Sequence, residues 1–145
     1  MTARFHITRL VEFNHCDPAG IVFYPRYFEM ISALVERFMA DGLGHPWAGM
    51  LAQGNGTPMG DIQIRFDAPS RLGDVLDIDL GVTRIGRASA TLDLRCLSSG
   101  MRRFGGTATL VHANLETGRS LPWPDDLRDR MGAYLHTPKK VKEPT

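Results

Sequence analysis

At 145 residues the chain has room for one domain and hardly for two, and it can bury roughly 68–70 % of its unfolded surface without disulfide or metal support. Its 43 % hydrophobic and 23 % charged fractions are those of a globular domain, and a net charge of +1 supplies no global field for nucleic acid or a membrane surface. Cys16 and Cys96 stand far apart, outside any disulfide framework or Cys/His zinc spacing. No run of about 18 apolar residues offers a membrane span and Met1–His6 lacks a signal-peptide core, so a cytoplasmic location is expected.

Phe5, Ile7, Val11 and Phe13 alternate with polar residues, and this period of two predicts a half-buried strand. The run Asp17-Pro18-Ala19-Gly20-Ile21-Val22-Phe23-Tyr24-Pro25-Arg26-Tyr27 follows. From Pro25 the period changes. Tyr27, Ile31, Leu34, Val35 and Phe38 recur at three- and four-residue steps, which predicts an amphipathic helix that stops at Asp41-Gly42-Leu43-Gly44. Pro25 suits the first turn, where its missing N–H costs nothing. Residues 41–57 are glycine-rich with few apolar repeats and are expected to form a long irregular connection.

Four alternating segments come next, around Ile62–Phe66, Leu76–Thr83, Ala88–Cys96 and residues 102–115, with turn residues between them. Segments this close in sequence are expected to pair as an antiparallel meander. Pro124-Asp125-Asp126 reads as the start of a short helix with Leu127, Met131 and Leu135 on one side. Residues 1–135 are therefore read as a single α+β domain, and residues 136–145 as a flexible tail. One helix covers one face of a five-stranded sheet, so an edge is left open and self-association is expected.

Asp17 precedes a turn that delivers the chain into the helix, whose first backbone N–H groups lack partners within it. A carboxylate beside such a helix end suits carbonyl hydrolysis: one group attacks or deprotonates water, and fixed dipoles hold the oxyanion. The alternative is an ordinary Asp-Pro turn before a helix. The eleven-residue run resembles the active-site loop of the hot-dog thioesterases of the 4-hydroxybenzoyl-CoA type, D-P-A-G-I-V-aromatic-Y-P-x-Y, at every fixed position. The looser similarity extends from about Val11 to Leu115.

That resemblance implies a hot-dog fold, a five-stranded antiparallel sheet wrapped around one long helix, with two subunits joining their sheets into a dimer or a tetramer. It implies an acyl-CoA thioesterase in which Asp17 is the catalytic carboxylate and the backbone at Phe23 and Tyr24 holds the oxyanion. Pro46-Trp47 and Gly54-Asn55-Gly56-Thr57-Pro58 match family elements that line the site, which points to Trp47 and Thr57 as substrate contacts. Arg84, Arg87 and Ser89 fall on the hairpin where the family binds the CoA nucleotide, although Gly86 and Ala88 replace basic residues there. Arg84, Arg87, Arg95, Arg102 and Arg103 face a single Asp93 in this stretch, which suits phosphate or, equally, a solvated strand face. His15, two residues before Asp17, would share its side of an extended strand and tune it; a solvated loop histidine is the alternative.

The branch acting on short aliphatic acyl-CoA has His at the place of Tyr24 and Tyr at that of Phe13, so an aromatic acyl group such as 4-hydroxybenzoyl is expected. An aliphatic acyl-CoA or acyl-carrier-protein thioesterase, or a non-catalytic CoA-binding module, are the alternatives. The expected substrate carries CoA itself, and no metal, redox cofactor, nucleic-acid or membrane partner is expected.

Overall fold

The computed structural model describes residues 3–137. Strand β1 (Phe5–Leu10) leads through a single 3-10 turn (Phe13–His15) to helix α1 (Pro25–Arg37), which continues as a wider π turn over Phe38–Gly42. Helix α2 (Trp47–Ala52) and strands β2 (Asn55–Gly56), β3 (Met59–Phe66), β4 (Val75–Ile85), β5 (Ser89–Ser98), β6 (Met101–Val111) and β7 (Ala113–Asn114) follow, and helix α3 (Asp125–Gly132) closes the order. The main sheet runs β1-β4-β5-β6-β3 with every neighbour antiparallel. The architecture is α+β, a five-stranded antiparallel sheet with one long helix on its face. No helix among the described residues is long and apolar enough to cross a membrane.

Helix α1 forms where the three- and four-residue apolar spacing predicts it, and its stripe of Tyr27, Met30, Ile31, Leu34 and Val35 is buried. The opposing surface comes from alternate residues of the central strands: Leu76, Ile78, Leu80 and Val82, then Ala90, Leu92, Leu94 and Cys96, then Phe104, Ala108 and Leu110. Gly44 takes a positive φ of 71° just beyond the helical stretch, the left-handed stop expected of glycine.

Four sequence expectations are corrected. Strand β1 ends at Leu10, and Phe13 lies in the 3-10 turn with 82 % of its surface exposed. Here Glu12 and His15 cap the turn reciprocally, which competes with continued pairing. Only β4, β5 and β6 form a meander. Strand β3 pairs with β6 at the far edge instead of with β4, and it can approach so closely because a side chain at Gly106 would overlap the Gln63 carbonyl. The connection over 41–57 contains the helix α2, and β2 pairs with β7 beside it.

Finally, Leu135 lies beyond α3. Its neighbours continue the β4 edge past the end of β1: the Val82 N–H donates to Tyr134 O at 2.9 Å and the His136 N–H to Val82 O at 2.8 Å. The expected tail therefore starts with His136 held against the sheet; residues 138–145 lie outside the described residues.

Phe38, fully buried, lies 5.6 Å from Phe5 and 5.0 Å from Tyr134 between ring centroids, so one side chain joins the first strand and the C-terminal segment to α1. Phe38→Ala is expected to cost about 3–5 kcal/mol. Urea denaturation measures it, and a loss below about 1 kcal/mol would show that the two ends are held by other contacts.

Candidate active site

The Asp17 turn is built from its own backbone. Asp17 N–H donates to Ile21 O and Gly20 N–H to Asp17 O, each at 2.9 Å, while Gly20 adopts a φ of 77° that a side chain would disfavour. One carboxylate oxygen, Oδ1, accepts the Ala19 N–H at 2.9 Å, and the other is left for chemistry. Asp17 is half-buried and opens onto a hollow of about 390 Å³ lined by Phe13, Cys16, Pro18, Gly20 and Leu72.

Eight residues after Asp17 the chain enters α1. Phe23 N–H donates to His15 O at 2.9 Å, so it is committed to the turn and corrects the expectation that Phe23 serves as an oxyanion donor. Pro25 has no N–H, and the Arg26 and Tyr27 amides close back onto Phe23 O and Tyr24 O. The Tyr24 N–H has no protein acceptor among the described residues, and Tyr24 itself is exposed. Sequence reasoning put two candidate donors here, and the local fold leaves one.

His15 does not share an extended strand with Asp17. It lies in the 3-10 turn, where its Nδ1 accepts the Glu12 N–H at 2.9 Å. Its ring caps the turn and its carbonyl accepts the Phe23 N–H.

The other predicted residues lie elsewhere. Trp47 Nε1–H donates to Thr57 Oγ1 at 2.9 Å, and both line an apolar cavity of about 380 Å³ between α1 and β3, together with Phe28, Pro58, Met59 and Ile62. The neighbouring strands continue this end of the sheet: Val111 N–H donates to Pro58 O at 3.0 Å, Ser89 pairs with Val111, and His112 N–H donates to Ala88 O at 2.7 Å. Arg84 and Arg87 are exposed on the adjoining hairpin and Ser89 is half-buried.

Two half-sites result. Asp17 and Tyr24 belong to the Phe66 end of β3, where the Tyr24 and Phe66 rings are 6.0 Å apart, whereas Trp47, Thr57, Arg87 and Ser89 belong to the Met59 end. Eight residues of extended chain separate those ends by about 23 Å. Between them β3 is an open edge carrying exposed Met59 and Phe66, and Phe13, Phe23, Tyr24 and Leu72 extend the apolar surface around Asp17. Among the described residues, no group of three or more His, Cys, Asp or Glu is arranged to hold a metal ion.

The segment 69–74, which the sequence marks only as a turn between strands, supports the Asp17 turn. Val22 N–H donates to Ser70 O at 2.9 Å and Leu72 N–H to Gly20 O at 3.3 Å. Asp74 Oδ2 accepts the Arg71 N–H at 2.8 Å and Arg103 Nη1–H at 2.9 Å. The bond from the Arg71 backbone, and then the Arg103 guanidinium, hold the Asp74 carboxyl below its ordinary value of 3.8 against the opposing effect of burial.

Residues 11–131 match the family described as the thioesterase-like superfamily. The 1,4-dihydroxy-2-naphthoyl-CoA hydrolase of Synechococcus elongatus is 27 % identical over 131 residues, covering 88 % of this chain and 94 % of that protein. A 4-hydroxybenzoyl-CoA thioesterase from a Pseudomonas species is 30 % identical over 81 residues, 54 % of this chain and 57 % of that one. Among solved structures, a gentisyl-coenzyme A thioesterase superposes with a TM-score of 0.78 at 26 % identity, covering 89 % of this chain and 99 % of its own.

Because the folded-state pKa of Asp74 is depressed, its contribution to stability is complete above its ordinary value and is lost as pH falls through the folded value. Asp74→Asn is therefore expected to flatten the decline in stability below about pH 4. Urea midpoints measured from pH 5 downward, at steps of about half a unit, check this; an unchanged acid slope would refute it.

Proposed function

We propose, from the premise that the chain belongs to the thioesterase-like superfamily, that it hydrolyses an acyl-CoA thioester to the free acid and CoA, with Asp17 as its catalytic carboxylate. One observation carries the assignment. The uncommitted oxygen of Asp17 and the unpaired Tyr24 N–H flank the same turn, Asp17 lining one apolar hollow and Tyr24 a second one with Ile21, Val22 and Phe66. Such an oxygen can attack the thioester carbon, or take a proton from the water that does. In either route negative charge develops on the thioester oxygen, and a fixed backbone donor lowers that barrier most where water is excluded. CoA enters as part of the substrate, and these steps use protein groups alone.

An aromatic acyl group is supported by two features. The relatives act on naphthoyl, hydroxybenzoyl and gentisyl thioesters according to their names, and Phe13, Phe23, Tyr24 and Phe66 supply aromatic surface beside Asp17. Stacking on such rings contributes about 0.5–1.5 kcal/mol per contact. Arg84 and Arg87 are assigned to the CoA phosphates, for which a guanidinium fork is suited.

The separation of the half-sites supports a dimer joined at the open edge. Two copies that pair antiparallel through their β3 edges set the Phe66 end of one beside the Met59 end of the other. Asp17 and Tyr24 of one subunit then face Trp47, Thr57 and Arg87 of its partner, and the exposed apolar edge is covered.

Free-thiol release from a panel of aryl and alkyl CoA esters tests the reaction. Asp17→Asn is expected to lower kcat by at least about 100-fold while the protein still binds CoA esters. Binding without turnover by the native protein would leave a CoA-binding module instead.

Mixed assemblies test the interface. Asp17→Asn chains refolded with chains carrying Arg84→Glu and Arg87→Glu form mixed dimers half of the time. Each mixed dimer has one intact site, so about a quarter of native activity is expected at low substrate. A mixture no more active than the average of its parents would place each site within one chain.

A further inference from the structure

Arg103 lies on β6, far in sequence from Asp17, and is only 9 % exposed. Its Nη1 donates to Pro69 O at 2.7 Å and to Asp74 Oδ2 at 2.9 Å, so one guanidinium clamps the first and last residues of the segment that supports the Asp17 turn. Its own carbonyl accepts the Asp67 N–H at 2.8 Å, which fixes the exit of β3 as well. From there a continuous chain of bonds reaches the turn: Asp74 Oδ2 takes the Arg71 N–H, Ser70 O takes the Val22 N–H, and Gly20 O takes the Leu72 N–H.

The burial is not explained by charge pairing alone. Among the described residues Arg103 Nε is buried with no hydrogen-bond partner, and so is Ser70 Oγ. A buried donor without a partner is costly, and an apolar residue of the same volume in a sheet core would avoid that cost. What an apolar residue cannot do is bind a main-chain carbonyl and a carboxylate at once from below the loop. One nitrogen, Nη1, makes both bonds, and the rigid planar guanidinium holds its N–H directions fixed, whereas a lysine ammonium is a rotating point charge on a flexible stem.

We propose that Arg103 is a positioning residue for hydrolysis: by clamping residues 69–74 it holds Gly20–Val22, and hence the Asp17 carboxylate and the Tyr24 N–H, in mutual register without touching the substrate. The inference rests on the proposed role of Asp17. It follows from the connectivity, since both groups that act on the thioester are anchored on the side of the turn that Ser70 and Leu72 hold. Displacements of about 1 Å at a reacting centre cost on the order of 100-fold in rate.

The test compares Arg103→Met, Arg103→Lys and Asp74→Asn with Asp17→Asn, all below their melting temperatures. Arg103→Met is expected to lower kcat about 10–100-fold with KM held within about threefold, and Arg103→Lys to recover part of the loss. Amide exchange is expected to quicken at Val22 and Leu72 while that of Leu34 in α1 is unchanged, a pattern that general destabilisation would not produce. If Arg103→Met does not fold, Asp74→Asn gives the same measurement with a smaller loss of the same sign. Native kcat in folded Arg103→Met or Asp74→Asn, or a loss confined to KM, would overturn the inference. Full turnover by Asp17→Asn would instead overturn the reading beneath it, so the two failures are distinguishable.

Discussion

The molecule is organised by an open edge. Strand β3 has a partner on one side only, and its two ends carry different chemistry: a carboxylate and a backbone donor at one, an aromatic-lined cavity and exposed arginines at the other. Eight extended residues cannot be shortened, so no side-chain rearrangement within one chain closes the gap of about 23 Å. The same strand exposes unpaired backbone groups and two large apolar side chains, which a monomer would keep wet at a cost. Antiparallel pairing of the edge removes both difficulties together. It satisfies the ladder, and it inverts one copy relative to the other so that unlike ends meet.

How much of this could be read from the chain alone follows from the range of each interaction. Helix α1 was legible because Tyr27, Ile31, Leu34 and Val35 repeat within a few turns, and the strands because Leu76–Val82 and Ala90–Cys96 alternate. Strand order was not legible for β3. Sequence proximity favours β4, and the deciding feature is the small residue at Gly106, paired with Ile64 and close against the Gln63 carbonyl, which has meaning only once the two strands are side by side. The helix α2 was hidden among glycines, since six residues carry too few turns to display a period.

The site shows the same division. Asp17 and the helix entry lie within one contiguous run and were found there, but which amide remains free depends on the His15 carbonyl reaching Phe23, a contact created by the 3-10 turn. Arg103 drew notice only as one of several arginines counted toward phosphate. Its burial and its bonds to Pro69 and Asp74 separate it from Arg84 and Arg87, which are exposed. Charge counting along a strand cannot make that distinction, because alternate residues face opposite sides.

The carboxylate proposed for hydrolysis sits on a turn, and turns are the mobile parts of a fold. Here the turn is tied on both flanks: Cys16 and Val22 bridge across it, and Ile21 bridges to Arg71. Asp17 also contributes to its own restraint, since Oδ1 is held by Ala19 and the carboxyl group cannot rotate freely. Preorganisation of this kind acts only if the support beneath it is stiff, and a sheet strand is the stiffest element available. That is a physical reason for a guanidinium on β6 to be buried under the loop: it transfers the rigidity of the sheet to a turn that has no regular structure of its own.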